Sequence, residues 1–295
     1  MEREESALKK LFVPIVILLS FWGVAIFLWR STGNAFYLFN FGYIGVAIAL
    51  GLGLYIVLPR RRKPVGRQVA QLLVGMYLLL FLGVWGKENM QIEGFFFHLL
   101  AGYFAASVIH YLVAKVGGPL LYGRGYCGWA CWTAMVLDFL PFKTNKAGRV
   151  SKKWEWLRYA HFGFSLVLVL MLWYFFGYRP DNVRNQTLFW LIGGNALYFS
   201  TSIILAFALR DNRAFCKYFC PVSVVLKVAT RFSMLKIEGK KEGCSSCGAC
   251  SKACPMDINV MAYVQNGQRV LSTECIFCHS CINVCPQGIL DSTFK

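Results

Sequence analysis

Six apolar stretches constrain this chain more than any other feature: residues 11–29, 36–58, 69–86, 95–114, 157–177 and 188–209, approximately. Each approaches or exceeds the 18 or so residues that a helix needs to cross roughly 30 Å of hydrocarbon. The composition agrees, with 57% hydrophobic and only 15% charged residues over 295 positions. The first stretch follows MEREESALKK, is long for a signal-peptide core and has no A-x-A-like site after it, so it reads as a retained helix.

A formal net charge of +17 invites a nucleic-acid reading. The distribution argues against it. Of the 31 Lys and Arg, all but Arg30, Lys87, Arg179 and Arg184 fall in the tail and loops that six crossings would place on one side. The positive-inside rule makes that side cytoplasmic, so the sequence predicts a multi-pass protein of the cytoplasmic membrane with both termini inside. Much of the basic excess is therefore topological, with contact to the anionic headgroups of the lipid bilayer as its by-product, and no nucleic-acid partner is expected. All twelve cysteines follow cytoplasmic ends of helices, in a reducing compartment, so metal or redox chemistry is expected of them rather than disulfides.

The tail carries Cys244, Cys247, Cys250 and Cys254 before Pro255, then Cys275, Cys278, Cys281 and Cys285 before Pro286, each a CxxCxxCxxxCP run. Three thiolates of one tight loop reach three irons of a cubane, and in two-cluster proteins the fourth cysteine ligates the other cluster. The sequence therefore predicts two [4Fe-4S] clusters, one held by Cys244, Cys247, Cys250 and Cys285, the other by Cys275, Cys278, Cys281 and Cys254. Zinc sites would call for paired CxxC units or His partners. Between the runs, apolar alternation around Asn266 and Gly267 predicts a β-hairpin. His279, inside the second run, reads as a surface residue that adjusts a cluster potential by a hydrogen bond.

A quieter pattern precedes the tail. RGYCGWACWTA at 124–134 is respelled as RAFCKYFCPVS at 213–223, and both follow the inward end of an even-numbered apolar stretch. The repeat unit is a helix pair plus a cysteine loop, which implies a pseudo-twofold arrangement bringing Cys127, Cys131, Cys216 and Cys220 together. Four uses compete for them: a third iron–sulfur centre, a tetrahedral zinc, a redox dithiol, or buried free thiols. Pro221 marks a helix start, so PVSVVLKVATRFSMLK is expected to lie along the interface as a basic amphipathic helix, with WTAMVLDFL doing likewise.

With two CxxxC loops, a polytopic membrane part and a C-terminal pair of CxxCxxCxxxCP runs, the chain resembles the NapH family of membrane-bound ferredoxins, quinol-dehydrogenase subunits of periplasmic nitrate reductase systems. Related modules occur in the NosR and MauN proteins. The resemblance implies electron transfer between the quinone pool and a redox partner, whether a ferredoxin-type protein, a cytochrome or a reductase subunit. The family writes both pairs as CxxxCP, whereas here Trp132 follows Cys131.

Ionisable residues inside membrane segments are functional candidates. His110 and His161 share an inward depth near the cysteine loops and are the candidate quinone-proximal pair. Glu93 and His98 would mark an outward site. His98, Gly102, Ala106 and His110 recur at intervals of four, as a packing stripe on one helix would.

The expected fold is mainly α: a polytopic bundle of six transmembrane helices over 1–237 with two cytoplasmic CxxxC loops, then a bacterial-type two-[4Fe-4S] ferredoxin domain over 238–295. The expected function is a quinol or quinone oxidoreductase subunit. An electron-supplying maturation or regulatory module for a metalloenzyme, or a membrane anchor for a ferredoxin, are the other readings.

Overall fold

The structure, a computed structural model, describes residues 2–102, 106–142, 152–179 and 184–295. Helices α1 (Glu2–Thr32) and α2 (Phe36–Val57) form an antiparallel pair, and α2 packs on α3 (Lys63–Met76), which continues as a π-helical stretch, Tyr77–Trp85. Pro64 sits in the first turn of α3, where its missing N–H costs nothing. At the α2–α3 crossing a Cβ on Gly66 would lie 2.3 Å from the Tyr55 backbone nitrogen. Gly66→Val is therefore expected to destabilise by at least the ~1–3 kcal/mol of ordinary overpacking. A drop in the melting temperature of the detergent-extracted protein checks this.

The fourth apolar stretch does not make one span. It holds α4 (Ile92–Leu100) and α5 (Ala106–His110), the latter continuing through π-helical Tyr111–Gly117 into α6 (Gly118–Tyr122). Lys115 Nζ lies 3.4 Å from the Met90 carbonyl, the Phe95 and Tyr111 rings stack at 4.5 Å, and Ser107 Oγ is 2.9 Å from His98 Nδ1. Residue numbers that rise on one side as they fall on the other define an antiparallel pair. On a straight helix Phe95 and Tyr111 would stand about 24 Å apart. The turn uses Gly102 at φ +67°, and residues 103–105 lie outside the described ones.

Residues 86–91 carry the chain back into the bundle before α4 begins. Met90 packs with Tyr77, Leu78 and Leu82, and Glu93 meets Ser165 and Tyr198 near the middles of their helices. Irregular backbone at that depth is tolerated only where protein surrounds it. Asn89, Met90 and Gln91 are all buried, and Asn89 Oδ1 accepts from the Gln91 N–H at 3.0 Å. Gly194 supplies the room: a Cβ there would meet Gln91 Oε1 at 2.2 Å. The expectation of six spans is corrected accordingly. Among the described residues five helices are long and apolar enough to cross a membrane: Leu11–Thr32, Phe36–Val57, Lys63–Trp85, Lys153–Tyr174 and Asn185–Leu209. The stripe from His98 to His110 is likewise broken by the turn at Gly102.

The first cysteine loop occupies α7 (Gly125–Trp129) and the start of α8 (Trp132–Leu137). Part of the basic segment that follows, 143–151, lies outside the described residues. Helices α9 (Leu157–Tyr174) and α10 (Arg184–Leu209) complete the bundle, and α11 (Ala214–Tyr218) with α12 (Val222–Thr230) repeat the α7–α8 arrangement. Helix α8 does not lie along the surface as expected, whereas α12 buries one face and leaves Val228 exposed. Trp132, Thr133, Ala134, Met135 and Leu137 are buried, and α12 buries Ser223, Leu226, Ala229 and Thr230.

Strand β1 (Leu235–Gly239) straddles the expected domain boundary and pairs antiparallel with β2 (Leu290–Phe294), Leu235 opposite Phe294. Between them stand α13 (Ala249–Lys252), α14 (Val260–Gln265) and α15 (Ser280–Val284). The expected hairpin at Asn266–Gly267 is α14 instead. Asn259 caps it by accepting from the Ala262 N–H at 3.2 Å, and Gly267 at φ +63° stops it. A dipeptide that starts a hairpin turn also ends a helix.

Candidate functional site: three four-cysteine cavities

The twelve cysteines fall around three cavities, four to each. One of about 20 Å3 is lined by Cys244, Cys247, Cys250 and Cys285. A second of about 20 Å3 is lined by Cys254, Cys275, Cys278 and Cys281. In both, the fourth cysteine comes from the other run. The third, of about 40 Å3, is lined by Cys127, Cys131, Cys216 and Cys220, from the two loops that the repeat brings together.

The first loop touches the second cavity directly. Trp129 Nε1 donates to the Phe277 carbonyl at 2.9 Å, and a Cβ on Gly128 would fall 2.2 Å from the Ile276 carbonyl oxygen. Gln71 Nε2 and Arg67 Nη1 donate to the Cys127 and Gly128 carbonyls at 3.3 and 2.7 Å, and Arg213 Nη1 also donates to Cys127 O, at 3.2 Å. These bonds tie the loop backbone to α3 and to its own copy.

Buried cations crowd this junction. Lys115, Arg124, Arg158, Arg213 and Lys217 are each no more than 1% exposed, so these five are structural rather than the lipid-facing topological charge expected of them. Glu274 binds three cations at once: Arg124 Nη1 at 2.5 Å, Arg158 Nη1 at 2.9 Å and Lys227 Nζ at 2.8 Å. Burial pushes its carboxyl up, but Arg124 and Arg158, with Lys227, hold it down to about 2. Asp138 pairs with Arg213 at 2.5 Å and Arg67 at 2.6 Å, and those charges overcome its burial and keep it below the usual carboxylate range. Lys217 bridges Asp211 and Asp257, each at 2.5 Å, joining the second loop to the tail domain.

Two of these cations reach the third cavity with unspent donors. Arg124 and Lys115 both line it. Arg124 Nε and Nη2 find no hydrogen-bond partner. Lys115 rests its ammonium 3.7 Å over the Tyr111 ring, with no carboxylate in ion-pair range among the described residues. A buried cation without a countercharge is costly. Four thiolates holding an iron–sulfur group, which is anionic overall, would supply that charge. The donors present thus fit such a group in the third cavity as in the other two.

The remaining sequence candidates are dispersed. His161 Nδ1 lies 2.9 Å from the Phe219 carbonyl, beside Cys220, and its ring packs on Tyr198 at 5.6 Å. His110 packs on Tyr126 at 5.5 Å and Trp132 at 6.4 Å, beside the other loop. Each histidine attends its own loop; they do not face one another. His279 is not the surface residue expected. It is packed among Phe277, Tyr55 and Trp129, and burial, then Arg67 and Lys63, lowers it to about 4, which leaves it neutral at pH 7. Trp132, where the copy has Pro221, is buried with Nε1 donating to Asn195 Oδ1 at 2.8 Å. That bond joins the first loop to α10, a task proline cannot perform.

Comparison with known proteins runs through the same residues. The family model described as a 4Fe-4S dicluster domain matches residues 234–286, which hold all eight tail cysteines. The one described as a 4Fe-4S binding domain matches twice, over 104–146 and 194–240, once around each CxxxC loop. Among curated relatives, the methylamine utilization ferredoxin-type protein MauN of Methylobacillus flagellatus is 31% identical, over 45% of this chain and 48% of its own. The ferredoxin-type protein NapH of Haemophilus influenzae is 26% identical, over 62% of this chain and 65% of its own. The chain is similar to the NapH and MauN ferredoxin-type proteins. It is a membrane protein and a ferredoxin-type 4Fe-4S electron-transfer protein of that kind. An uncharacterized protein of Methanocaldococcus jannaschii is 26% identical over 76% of this chain and 85% of its own. The chain thus spans most of that relative but only about half of MauN. No solved structure matches.

Proposed function

We propose that this protein passes electrons between membrane quinol and a redox partner through three iron–sulfur centres, with both termini on the cytoplasmic side. The observation that carries the reading is the third cavity, which lies between the intramembrane polar residues and the tail domain and is lined by four cysteines. Cys127, Cys131, Cys216 and Cys220 would hold a centre there. Cys254, Cys275, Cys278 and Cys281 would hold the next, and Cys244, Cys247, Cys250 and Cys285 the last. Such centres supply reversible one-electron storage.

The chain's own residues set the order. Gly128 and Trp129 press the first loop onto the Ile276–Phe277 backbone, which makes the second centre the neighbour of the third cavity. Cys247 is exposed, so a redox partner would dock beside its loop. Arg124 and Lys115 would compensate the charge of the centre held by the CxxxC loops, favouring its reduced form.

Anaerobic addition of duroquinol, followed by EPR, tests the quinol reading: reduction of the centres supports it. Centres that dithionite reduces but that neither accept electrons from duroquinol nor give them to duroquinone would overturn it. Trp129→Phe, which removes the bond to the Phe277 carbonyl without crowding the ligand loops, separates the wiring from the ligation. It is expected to keep the wild-type iron content and to slow quinol-driven reduction of the tail centres at least tenfold. Stopped-flow absorbance reads that rate.

A further inference from the structure

Glu93 is a carboxylate placed deep in the bundle by the re-entrant segment. Its Oε1 accepts from Ser165 Oγ at 2.9 Å and from Tyr198 Oη at 3.4 Å, and both partners stand near the middles of α9 and α10. No cation pairs with it and nothing engages Oε2 among the described residues. It is only partly covered, at the seam where α4 meets α9 and α10. An ionisable group held at membrane depth is costly and marks a substrate or proton pathway. Here the chain has given up a continuous span to hold it there.

The surroundings connect this carboxylate to the cysteine loops. Tyr198 lines the third cavity together with Cys220, and its ring lies against His161, whose Nδ1 meets the carbonyl of Phe219. The titratable groups facing Glu93 are Tyr198 from α10, His161 behind it on α9, and Tyr111 from the helix that runs back beside α4. His98 is on the same helix as Glu93, one turn and a half further from the loops.

We propose that Glu93 is the catalytic residue that accepts the protons of a quinol bound at this seam. The proposal rests on the quinol reading above. In each of two steps a quinol O–H bond breaks, its proton bonds to the Glu93 carboxylate, and one electron leaves for an oxidised iron–sulfur centre behind the cysteine loops. Glu93 releases the first proton before taking the second. The products are one quinone, two protons and two reduced centres. Tyr198 and Ser165 hold the carboxylate in place.

Glu93→Gln is expected to keep the wild-type iron content and full reduction by dithionite while losing about 10²–10⁴-fold in the rate of reduction by duroquinol. The residual rate should lose the step that a single carboxylate adds to the pH profile and keep only the smooth rise with pH that quinol oxidation has by itself. Equilibrium binding of duroquinone, which needs no electron transfer, should become independent of pH. Ser165→Ala keeps the carboxylate and should shift the midpoint of the wild-type pH profile. It serves also if Glu93→Gln does not assemble. Wild-type protein that duroquinol cannot reduce would sink the quinol reading. Wild-type protein that it does reduce, with Glu93→Gln equally fast and Ser165→Ala unshifted in pH profile, would overturn the role of Glu93 alone.

Discussion

Protein purified without oxygen is expected to carry about twelve irons and twelve acid-labile sulfides per chain, and Cys220→Ala about eight of each. The expectation starts from the three cavities. Two are lined by the four-cysteine sets that the doubled CxxCxxCxxxCP run assigns to cubanes, and each measures about 20 Å3. The third has the same number of thiols and twice the room. It also has what the tail cavities lack among their lining residues: Lys115 and Arg124, both fully buried, the latter with two unpartnered donors. A neutral set of thiols would leave the Lys115 charge without a countercharge and the two free Arg124 donors, beyond its bond to Glu274, without acceptors. The ordinary tail signals should persist in Cys220→Ala, because that cysteine lines neither tail cavity. About eight irons in both proteins would remove the third centre, and stoichiometric zinc in the wild type would replace it with a structural ion.

The grouping of the tail cysteines around two cavities was legible in their spacing; even the exchange of Cys254 and Cys285 between runs follows from it. The quiet loops were legible through repetition, which survives divergence of the residues between the cysteines. What escaped was set by tertiary context. Residues 95–114 are apolar throughout, and apolar length alone does not separate a straight helix from a re-entrant pair. Gly102 was visible but read as packing. Lys115, counted as loop charge, sits beneath the loop because the chain turns back. Arg124 and Arg213 occupy the same place in both copies of the repeat, three residues before the cysteine, and that repetition was the available sign that they serve the site. Nothing local marks Glu274, one residue before Cys275, as the partner of three cations brought from α6–α7, α9 and α12.

Glu274→Ala should undo the joint between the membrane bundle and the tail domain. The carboxylate neutralises Arg124, Arg158 and Lys227 in a place where Arg124 and Arg158 have no access to water. Removing one member of a buried ionic cluster leaves the others uncompensated, at a cost of about 3–5 kcal/mol. Such a loss is a large part of the stability of a domain this small. It falls on the backbone that positions Cys275, since the Glu274 N–H also donates to Ser272 Oγ at 3.3 Å. The variant is expected to lose the centre held by Cys254, Cys275, Cys278 and Cys281 and to become sensitive to limited proteolysis near residues 231–234. Glu274→Asp keeps the charge on a shorter arm and should retain most of the iron. If Glu274→Ala keeps its full iron content and its resistance to protease, the triple ion pair does not hold the domains together, and the Gly128–Ile276 and Trp129–Phe277 contacts suffice. The double variant Glu274→Ala with Lys227→Met then measures how much of the cost was stranded charge: recovery of stability in the double variant assigns it to Lys227, and no recovery assigns it to the two arginines.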